Sequence, residues 1–366
     1  MGTFYDVMRG LKGMPFEEAW RSAGVPDVER VLRKTLRKTD PDAADFLVLL
    51  SPVASICLEA MEEAAAERRR AAFGASVALF SPLYLSDACV NVCLYCGFRA
   101  DNRFPRKTLS EDEIAAEADA IRASGIRRVL AVTGDSPRAS GVGYLKRAAG
   151  LLARRFDSVA VEVQALDVGD YAELAASGVD GVTVHQEVYD EQTYRSVHAK
   201  GPKRRYRYRL EAPERACTAG MRRVTVGALL GLADWRKEIF FAAMHARYLR
   251  ERFPGVRVGV AFPRVRPHPG GWKAPCPVGE RELVQAMLAV RLFLPDAAIV
   301  LSTRERAELR DRMVRSAATD LSAGSSTEVG GYAGERVGRV PQFEIVDRRK
   351  VEEIRAALIA AGMDPV

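Results

Sequence analysis

The sequence is short of the features that mark membrane, secreted or phosphate-binding proteins. No run approaches the roughly 18 apolar residues that span a bilayer. The N-terminal stretch MGTFYDVMRGLKGMPFEEAW carries acidic residues and lacks the apolar core of a signal peptide. There is no Walker A loop, no GxGxxG turn and no HExxH zinc motif. We therefore expect a cytoplasmic protein that contacts no membrane and has no glycine-rich cradle for nucleotide phosphates.

The chain carries a formal charge of +7, yet its composition, with 48% hydrophobic and 28% charged residues, is that of a globular protein. The densest basic stretch is KGPKRRYRYR, residues 200–209, in which Tyr206 and Tyr208 lie between the cations. Such a strip is one way to bind RNA. Because the other positive charges are scattered, we expect a solvated loop that enters a helix, and no nucleic-acid partner.

Short apolar runs alternate with amphipathic segments from about residue 76 onwards, after a helical region at 15–75. The predicted strands are 77–85, 127–132, 158–163, 180–184, 222–227, 257–261, 297–302 and 318–322. The helices predicted between them include 110–124, 235–252 and 280–293. Eight such units favour a (β/α)₈ TIM-type barrel, whose active site lies at the carboxyl ends of the strands.

We accordingly divide the chain into three parts. Residues 1–75 form a helical N-terminal extension, residues 76–335 form the barrel, and residues 336–366 form a short C-terminal extension that closes it. No internal repeat or low-complexity linker divides the chain further.

Only six cysteines occur, and three of them, Cys89, Cys93 and Cys96, lie within eight residues directly after the first predicted strand. A structural zinc site normally needs four ligands, and no fourth ligand lies at a suitable spacing. Three thiolates can instead hold three irons of a 4Fe–4S cubane and leave the fourth iron open for chemistry. Zinc binding or a chance grouping is the alternative.

The spacing CxxxCxxC with an aromatic residue before the last cysteine resembles the signature of the radical S-adenosylmethionine superfamily. This resemblance implies two cofactors, a 4Fe–4S cluster and S-adenosylmethionine, with the methionine amino and carboxylate groups on the open iron. It also implies that Tyr95 lies beside the adenine.

The flanking segments resemble the aromatic amino-acid lyases of that superfamily, most closely the 2-iminoacetate synthase family of tyrosine lyases in thiazole biosynthesis. The similar segments are SPLYLSDACVNVCLYCGFRADNRFPRKTLS (81–110), AVTGDSP (131–137), HQEVYDEQTYRSVH (185–198), YRYRLEAPERACTAGMRRVTVGALLGLADWR (206–236), FPRVRP (262–267), LSTRERAELRDR (301–312), SAGSSTEVGGY (322–332) and QFEIVDRR (342–349). They cover most of the chain, and several follow predicted strands.

Three other functions remain to be weighed. The tyrosine lyase of hydrogenase maturation has further cysteines in a C-terminal extension, and this chain has no cysteine after Cys276. The tryptophan lyase of indolic-acid formation shares the barrel and is harder to exclude. A non-catalytic iron–sulfur scaffold or sensor would need no substrate cradle, so the Ser-Thr-Arg segment after the seventh strand argues against it.

The resemblance also assigns residues to the cofactor. It implies that Gly134 and Asp135 of the TGDSP loop meet the methionine amine, although Asp135 replaces a more usual Glu. The alternative is a plain turn in which Asp135 or the serine after it caps a helix. Arg209 aligns with an arginine that fixes the methionine carboxylate. Glu162 ends the third strand, and burial there would require a ligand or an arginine as its partner.

Gln186 and Glu187 end the fourth predicted strand and are candidates to hold the ribose. For the substrate, Ser302, Thr303 and Arg304 resemble a cradle for the α-carboxylate, with Ser322 nearby. The alternative is that Arg304 only pairs with Glu305 or Asp311 on the surface.

Two further sets of residues need an interpretation. Arg264 and Arg266 close the sixth strand and are candidates to line the substrate cavity. The four histidines form no catalytic pattern, and we interpret most of them as ordinary.

The resemblance implies a lyase that cleaves the Cα–Cβ bond of an aromatic amino acid, with tyrosine favoured, to give 2-iminoacetate (dehydroglycine) and p-cresol for thiamine biosynthesis. The reduced cluster would give one electron to the sulfonium of S-adenosylmethionine and release a radical that takes hydrogen from the substrate. Dehydroglycine hydrolyses readily, so we expect hand-over to a thiazole synthase. An electron donor such as flavodoxin or ferredoxin is also implied.

Overall fold

The computed structural model describes residues 2–37, 39–334 and 339–366. Its strands are β1 Ser76–Ser86, β2 Val92–Cys93, β3 Arg128–Thr133, β4 Ser158–Glu162, β5 Gly181–Glu187, β6 His198–Lys200, β7 Arg223–Ala228, β8 Arg257–Ala261, β9 Ala298–Leu301, β10 Asp320–Ser322 and β11 Asp364–Pro365.

Eight of these strands form a closed parallel barrel in the order β1-β3-β4-β5-β7-β8-β9-β10. The barrel closes because β10 pairs with β1, with Ala78 opposite Asp320 and Phe80 opposite Ser322. The predicted (β/α)₈ fold and all eight predicted strands are therefore confirmed, although β5 continues to Glu187, beyond its predicted end at 184. Every loop that follows a barrel strand thus meets the others at one end.

The α-helices are α1 Phe4–Leu11, α2 Phe16–Ser22, α3 Val25–Leu36, α4 Ala43–Leu50, α5 Leu58–Phe73, α6 Glu111–Ala123, α7 Val142–Ala153, α8 Val168–Ala176, α9 Glu191–Val197, α10 Tyr206–Leu210, α11 Ala212–Thr218, α12 Trp235–Arg252, α13 Glu280–Phe293, α14 Ala307–Ser316 and α15 Val351–Ala360. Two 3₁₀ helices, Val53–Cys57 and Pro202–Arg204, complete the regular elements. The three helices predicted within the barrel are confirmed as α6, α12 and α13.

Local sequence explains where α6 begins. The Ser110 hydroxyl accepts a hydrogen bond from the Glu113 amide at 3.3 Å, and the Glu113 carboxylate accepts one from the Ser110 amide at 2.9 Å. This reciprocal capping box satisfies two of the amide groups that a helix start leaves unpaired. The first helix after the cysteine loop is thereby fixed at a defined residue.

Small residues keep the interior of the barrel open. Ala160, Gly181 and Ala261 face the interior where a packed barrel would carry bulky branched side chains. Gly259 on β8 instead allows close packing, since a Cβ there would lie 2.9 Å from the Thr225 hydroxyl. A cavity of about 1120 Å³, including open solvent, therefore runs inside the strands.

The N-terminal helices pack against the outside of the barrel. Phe46 of α4 stacks on Phe293 of α13 with ring centroids 4.3 Å apart. Arg69 of α5 is buried and donates to the carbonyl oxygens of Gly74 and Ser76, at 2.6 and 2.8 Å. These contacts join the predicted helical extension to the start of β1.

Within the described residues no single helix is both long and apolar enough to cross a membrane. One bent pair, Ala43–Leu50 with Val53–Phe73, reaches that threshold by length and composition only.

The C-terminal part of the chain contacts both ends of the barrel. Residues 341–347, the C-terminal strap, cross the end where the strands terminate. After α15, strand β11 pairs with the start of β1 at the opposite end, with Asp364 opposite Ser76. The predicted boundary between residues 335 and 336 lies outside the described residues, so the division into 76–335 and 336–366 stays a prediction.

Candidate active site

Two adjoining cavities open at the carboxyl end of the barrel. The cysteine pocket, of about 830 Å³ including open solvent, is lined by the three clustered cysteines, and the lumen cavity extends from it into the barrel. Both are lined by Glu162, His185, Arg304, Gln342 and Phe343. A molecule bound beside the cysteines would therefore lie next to one bound inside the barrel.

The cysteine loop leaves β1 and is held by a short strand pair. Cys93 lies on β2, which pairs antiparallel with β6. Amide donors reach two of the sulfurs, from Asn91 N to Cys89 Sγ at 3.4 Å and from Gln342 Nε2 to Cys96 Sγ at 3.6 Å. Burial raises the pKa of the Cys89 thiol to about 11, so its thiolate needs a positive partner.

These thiols fit an iron–sulfur cubane better than a single ion. In the part of the chain that the structure describes, no three His, Cys, Asp or Glu side chains converge on one ion position. A cubane does not need such convergence, because each thiolate binds a different iron. The observed donors to sulfur are also those that stabilise such clusters.

Asn91, between two of the cysteines, ties three loops together. It is buried, its Nδ2 donates to Asp135 Oδ2 at 2.7 Å, and its Oδ1 accepts from the Lys203 amide at 3.0 Å. The TGDSP loop also approaches closely at Gly134, where a Cβ would collide with the carbonyl oxygen of Ala88. The sequence had given no role to Asn91.

Asp135 does not act as a helix cap. The following helix, α7, begins at Val142 with Gly141 as its N-cap residue. The alternative in which Asp135 caps this helix is therefore wrong. Its carboxylate lines the cysteine pocket, where its second oxygen remains available to a ligand.

Tyr95 also lines the cysteine pocket, and a buried histidine holds its hydroxyl. Its hydroxyl lies 2.7 Å from His198 Nε2, and the Nδ1 of that ring lies 2.8 Å from the carbonyl oxygen of Tyr194. Burial and the nearby charge of Lys203 lower the pKa of His198 to about 3, so the ring is neutral. His198 therefore orients Tyr95 and carries no charge of its own.

The basic stretch 200–209 is not a uniformly solvated loop, and that expectation was wrong for Lys203, whereas Arg209 had been assigned to the cofactor by resemblance. Lys203 and Arg209 are largely buried and line the cysteine pocket, with Lys203 Nζ 2.7 Å and Arg209 3.7 Å from Glu187. Arg204, Arg205 and the neighbouring Arg207 are exposed, as expected. Nothing in the sequence pattern indicated that Lys203 would also turn inward.

Glu187 is held in an unusual conformation by these cations. It has φ 71° where β5 bulges against β7, a left-handed conformation that is rare outside glycine. Burial would raise the pKa of its carboxyl, but Lys203 and Arg209 outweigh burial and lower it to about 2. The pocket therefore presents an ionised carboxylate locked between two cations.

The partner of Glu162 is a histidine, whereas the sequence predicted a ligand or an arginine. His185 Nδ1 lies 3.4 Å from Glu162 Oε1. His185 Nε2 is buried without a hydrogen-bond partner among the described residues, and the ring lines both cavities. His185 was assigned no role from the sequence, although the alternation of inward residues along β5 could have identified it.

Gln186 does not join the site. It sits within the β5 bulge between His185 and Glu187 and lines neither cavity. Its amide is buried with no hydrogen-bond partner among the described residues. The bulge turns Glu187 into the pocket, so a ribose contact from Gln186 has no geometric support.

Arg304 is the cation at the junction of the two cavities. Its guanidinium carbon lies 3.3 Å from the centre of the Phe343 ring, and its Nη1 donates to the Arg264 carbonyl at 3.2 Å. Across residues 2–37, 39–334 and 339–366 it forms no ion pair, and burial lowers its pKa. The surface alternative is wrong, because Glu305 pairs with Arg264 and Asp311 with Arg349.

Only some of the other residues predicted to bind the substrate line the lumen cavity. Ser302, Thr303 and Ser322 all line the lumen cavity, and the Thr303 amide donates to the Ser322 hydroxyl at 2.9 Å. Arg266 lines the cysteine pocket and lies 3.3 Å from Glu305. Arg264 lines neither cavity because its guanidinium is held by Glu305, so the expectation for Arg264 was wrong.

The fold and cysteine loop together define a class of enzyme. The family model described as "Radical SAM superfamily" matches residues 83–239, and the model described as "Biotin and Thiamin Synthesis associated domain" matches residues 261–364. The chain is thus a radical S-adenosylmethionine enzyme, and enzymes of this class use a 4Fe–4S cluster with S-adenosylmethionine.

Comparison with curated relatives narrows the class. The chain is 41% identical to a 2-iminoacetate synthase of Escherichia coli (strain K12), and 39% identical to one of Salmonella typhimurium. Each alignment covers 100% of this chain and 96% of the relative. The chain therefore belongs to the 2-iminoacetate synthase family.

Solved structures agree with this assignment. The FeFe-hydrogenase maturase HydG superposes with a TM-score of 0.89 at 30% identity, covering 96% of this chain and 78% of that one. HydG from Carboxydothermus hydrogenoformans gives 0.85, also at 30% identity, covering 99% and 82%. Methylornithine synthase, at 20% identity and a TM-score of 0.75 over 92% of this chain and 97% of its own, shares the fold.

Proposed function

We propose that this chain cleaves the Cα–Cβ bond of L-tyrosine to 2-iminoacetate and p-cresol, and so supplies the thiazole ring of thiamine. The observation that carries the proposal is Arg304, a partly buried guanidinium without an ion-pair partner in the described residues, at the junction of the two cavities. An amino-acid carboxylate would supply the missing negative charge. The family of curated relatives supports the reaction.

The lumen cavity suits an aromatic amino acid held by its carboxylate. With the carboxylate on Arg304, the Ser302 and Ser322 hydroxyls are on hand to accept or donate hydrogen bonds. Apolar side chains of Phe80, Leu130 and Val300 line the deeper part of the cavity, where a phenol ring would pack. The α-amino group would then lie towards Glu162 and His185.

The cysteine pocket would hold the cofactors. We assign Cys89, Cys93 and Cys96 to the cluster, and Arg209, Glu187, Asp135, Gly134 and Tyr95 to S-adenosylmethionine. When bound, these cofactors supply a radical able to abstract hydrogen from the substrate. The protein contributes position, because a carboxylate clamp in the adjoining cavity presents one end of the substrate to that radical.

Enclosure of the site would protect the product. The strap and the barrel wall cover the site, which limits hydrolysis of 2-iminoacetate. We therefore propose direct hand-over to a thiazole synthase, and a cytoplasmic location with flavodoxin or ferredoxin as the reductant. The six cysteines are free thiols, which suits a reducing compartment.

Product analysis tests the proposal. Anaerobically reconstituted protein is incubated with S-adenosylmethionine, dithionite and either tyrosine or tryptophan, and products are identified by mass spectrometry. We expect p-cresol and glyoxylate, the hydrolysis product of 2-iminoacetate, from tyrosine. An indole product from tryptophan, with no p-cresol from tyrosine, would assign the chain to tryptophan cleavage.

A further inference from the structure

The C-terminal strap, residues 341–347, joins loops that follow different barrel strands. The Gln342 amide donates to the Thr327 carbonyl at 3.0 Å, after β10. The Glu344 amide donates to the Pro267 carbonyl at 2.9 Å, after β8. Farther along, the Val346 amide donates to the Thr303 carbonyl at 2.9 Å, after β9. The strap is thus fixed across the mouth of the barrel by its backbone.

Gln342 brings the strap to the cysteine loop. Its Nε2 lies 3.6 Å from Cys96 Sγ, and its Oε1 accepts a hydrogen bond from the Tyr84 hydroxyl at 2.8 Å. Its backbone carbonyl also accepts from the Gly97 amide at 3.1 Å. This approach requires glycine at 97, because a Cβ there would lie 2.6 Å from that same carbonyl oxygen.

The partners of Gln342 determine which way its amide points. A metal-bound thiolate has no proton and can only accept, so the NH₂ group must face Cys96. The amide oxygen then faces Tyr84, whose hydroxyl is able to donate. Both polar groups of the Gln342 side chain therefore form hydrogen bonds, and its NH₂ group donates to the Cys96 sulfur.

We propose that Gln342 is a positioning residue that stabilises the reduced state of the cluster by hydrogen bonding to Cys96. The inference rests on the cluster-binding part of the proposed function. Reduction adds one electron and increases the negative charge on the sulfurs, so an N–H donor favours the reduced form. The residue acts through Cys96 and touches no reacting atom.

The adjacent residue, Phe343, makes a different contact. Its ring supports the Arg304 guanidinium at 3.3 Å, a cation–π geometry. Although both residues line both cavities, their specific contacts differ: Gln342 donates to Cys96, and Phe343 supports Arg304. This division provides a matched control within one segment.

The test is a potentiometric titration of the reconstituted cluster, followed by electron paramagnetic resonance, with dithionite as the one-electron reductant. The variants are Gln342→Leu, Gln342→Glu and Phe343→Leu. Gln342→Leu removes the donor to Cys96 without adding charge. Gln342→Glu keeps the shape and the acceptor for Tyr84, removes the donor and adds a negative charge, which also disfavours reduction. Iron content and the thermal unfolding midpoint are measured for each.

We expect both Gln342 variants to retain iron. At a fixed potential near the wild-type midpoint, the ratio of reduced to oxidised cluster should be about fivefold lower in Gln342→Leu and lower still in Gln342→Glu. Phe343→Leu should keep the wild-type potential and raise the KM for tyrosine. A wild-type potential in Gln342→Glu would overturn the proposal. So would an equal shift in Phe343→Leu, or loss of iron from both Gln342 variants, since either result would make the strap merely structural.

The outcomes also separate this inference from the proposed function. A wild-type protein that binds no cluster would refute both. A wild type that binds a cluster and makes p-cresol, with an unchanged potential in Gln342→Glu, would refute only the role of Gln342. If Gln342→Leu fails to fold, the isosteric Gln342→Glu decides the matter.

Discussion

The sequence predicts the position of some site residues well and of others not at all. Cys89, Cys93 and Cys96 are recognisable because their spacing is local. Lys203 and Gln342 are not, because each is brought to the cysteine pocket by contacts with residues far away in the chain, Asn91 and Cys96. The burial of a charged or polar side chain is decided by such partners.

Iron binding should depend on the clustered cysteines alone. Replacing Cys89, Cys93 or Cys96 by Ala should abolish binding of about four irons per chain, because each thiolate holds one iron of the cubane. The matched controls are Ala variants of Cys57, Cys217 and Cys276, which line neither cavity. Loss of iron from one of these controls would contradict the assignment of an open fourth iron.

Arg304→Ala should lose the carboxylate clamp. We expect a penalty on the order of 3–5 kcal/mol in the binding of tyrosine, because a buried carboxylate is left without its partner. The variant should retain the cluster and cleave S-adenosylmethionine slowly without making p-cresol. Arg306→Ala is the control, since Arg306 lies two residues away and pairs with Glu280 at the surface. Normal p-cresol formation by Arg304→Ala would refute the clamp.

The buried carboxylate of Glu187 should make stability depend on pH. Its pKa is about 2 in the folded protein, against 4.5 for the ordinary carboxyl. Because the folded value is the lower one, its contribution is complete above about pH 4.5, on the order of 3 kcal/mol, and is lost as the pH falls towards about 2.

Thermal unfolding midpoints of the wild type and Glu187→Gln, measured between about pH 7 and pH 3, check this expectation. The difference between the two proteins should shrink as the pH falls. Glu191→Gln is the control, because its partner Arg195 is 68% exposed and the pair should contribute little. Parallel curves for wild type and Glu187→Gln would contradict the ionised, cation-locked carboxylate.

Among the elements, strands and helices were predictable because their apolar periodicity is local. The ends of the strands were less so: β5 runs three residues past its predicted end through a bulge that turns Glu187 inward. The short pair of β2 with β6 was not predicted, because two- and three-residue strands have no readable period. Yet this pair brings the basic stretch to the cysteine loop.

Gly201 offers a test of that connection. It has φ 99°, and a Cβ there would collide with the side chain of Asn91. Gly201→Ala should therefore displace the segment that carries Lys203 and weaken S-adenosylmethionine binding about tenfold or more, measured by equilibrium binding to reconstituted protein.

Gly220→Ala is the matched control for this variant. Gly220 has φ 89°, but nothing lies within 4 Å of the position of its Cβ. Gly220→Ala should lose about 1 kcal/mol of stability, because only the backbone is strained, and should leave cofactor affinity unchanged. Equal cofactor affinity in the two variants would show that the Gly201–Asn91 approach does not organise the pocket.

For the whole molecule, closure of the barrel brings the two cavities together. Alternating strands and helices predicted a barrel, and the motifs after those strands predicted that the site would lie at their carboxyl ends. The strap could not be predicted to reach the cysteines, because its contacts with Thr327, Pro267 and Thr303 come from loops after three different strands. Such long-range contacts leave no periodic trace in a single sequence.

We propose that the cysteine pocket and the lumen cavity work as one site, in which cofactor cleavage is coupled to cleavage of tyrosine. The most direct test measures 5′-deoxyadenosine and p-cresol together, in one anaerobic reaction of the reconstituted wild type with S-adenosylmethionine, dithionite and tyrosine. We expect the two products to form in equal amounts. Steady formation of 5′-deoxyadenosine without p-cresol, at saturating tyrosine, would contradict it.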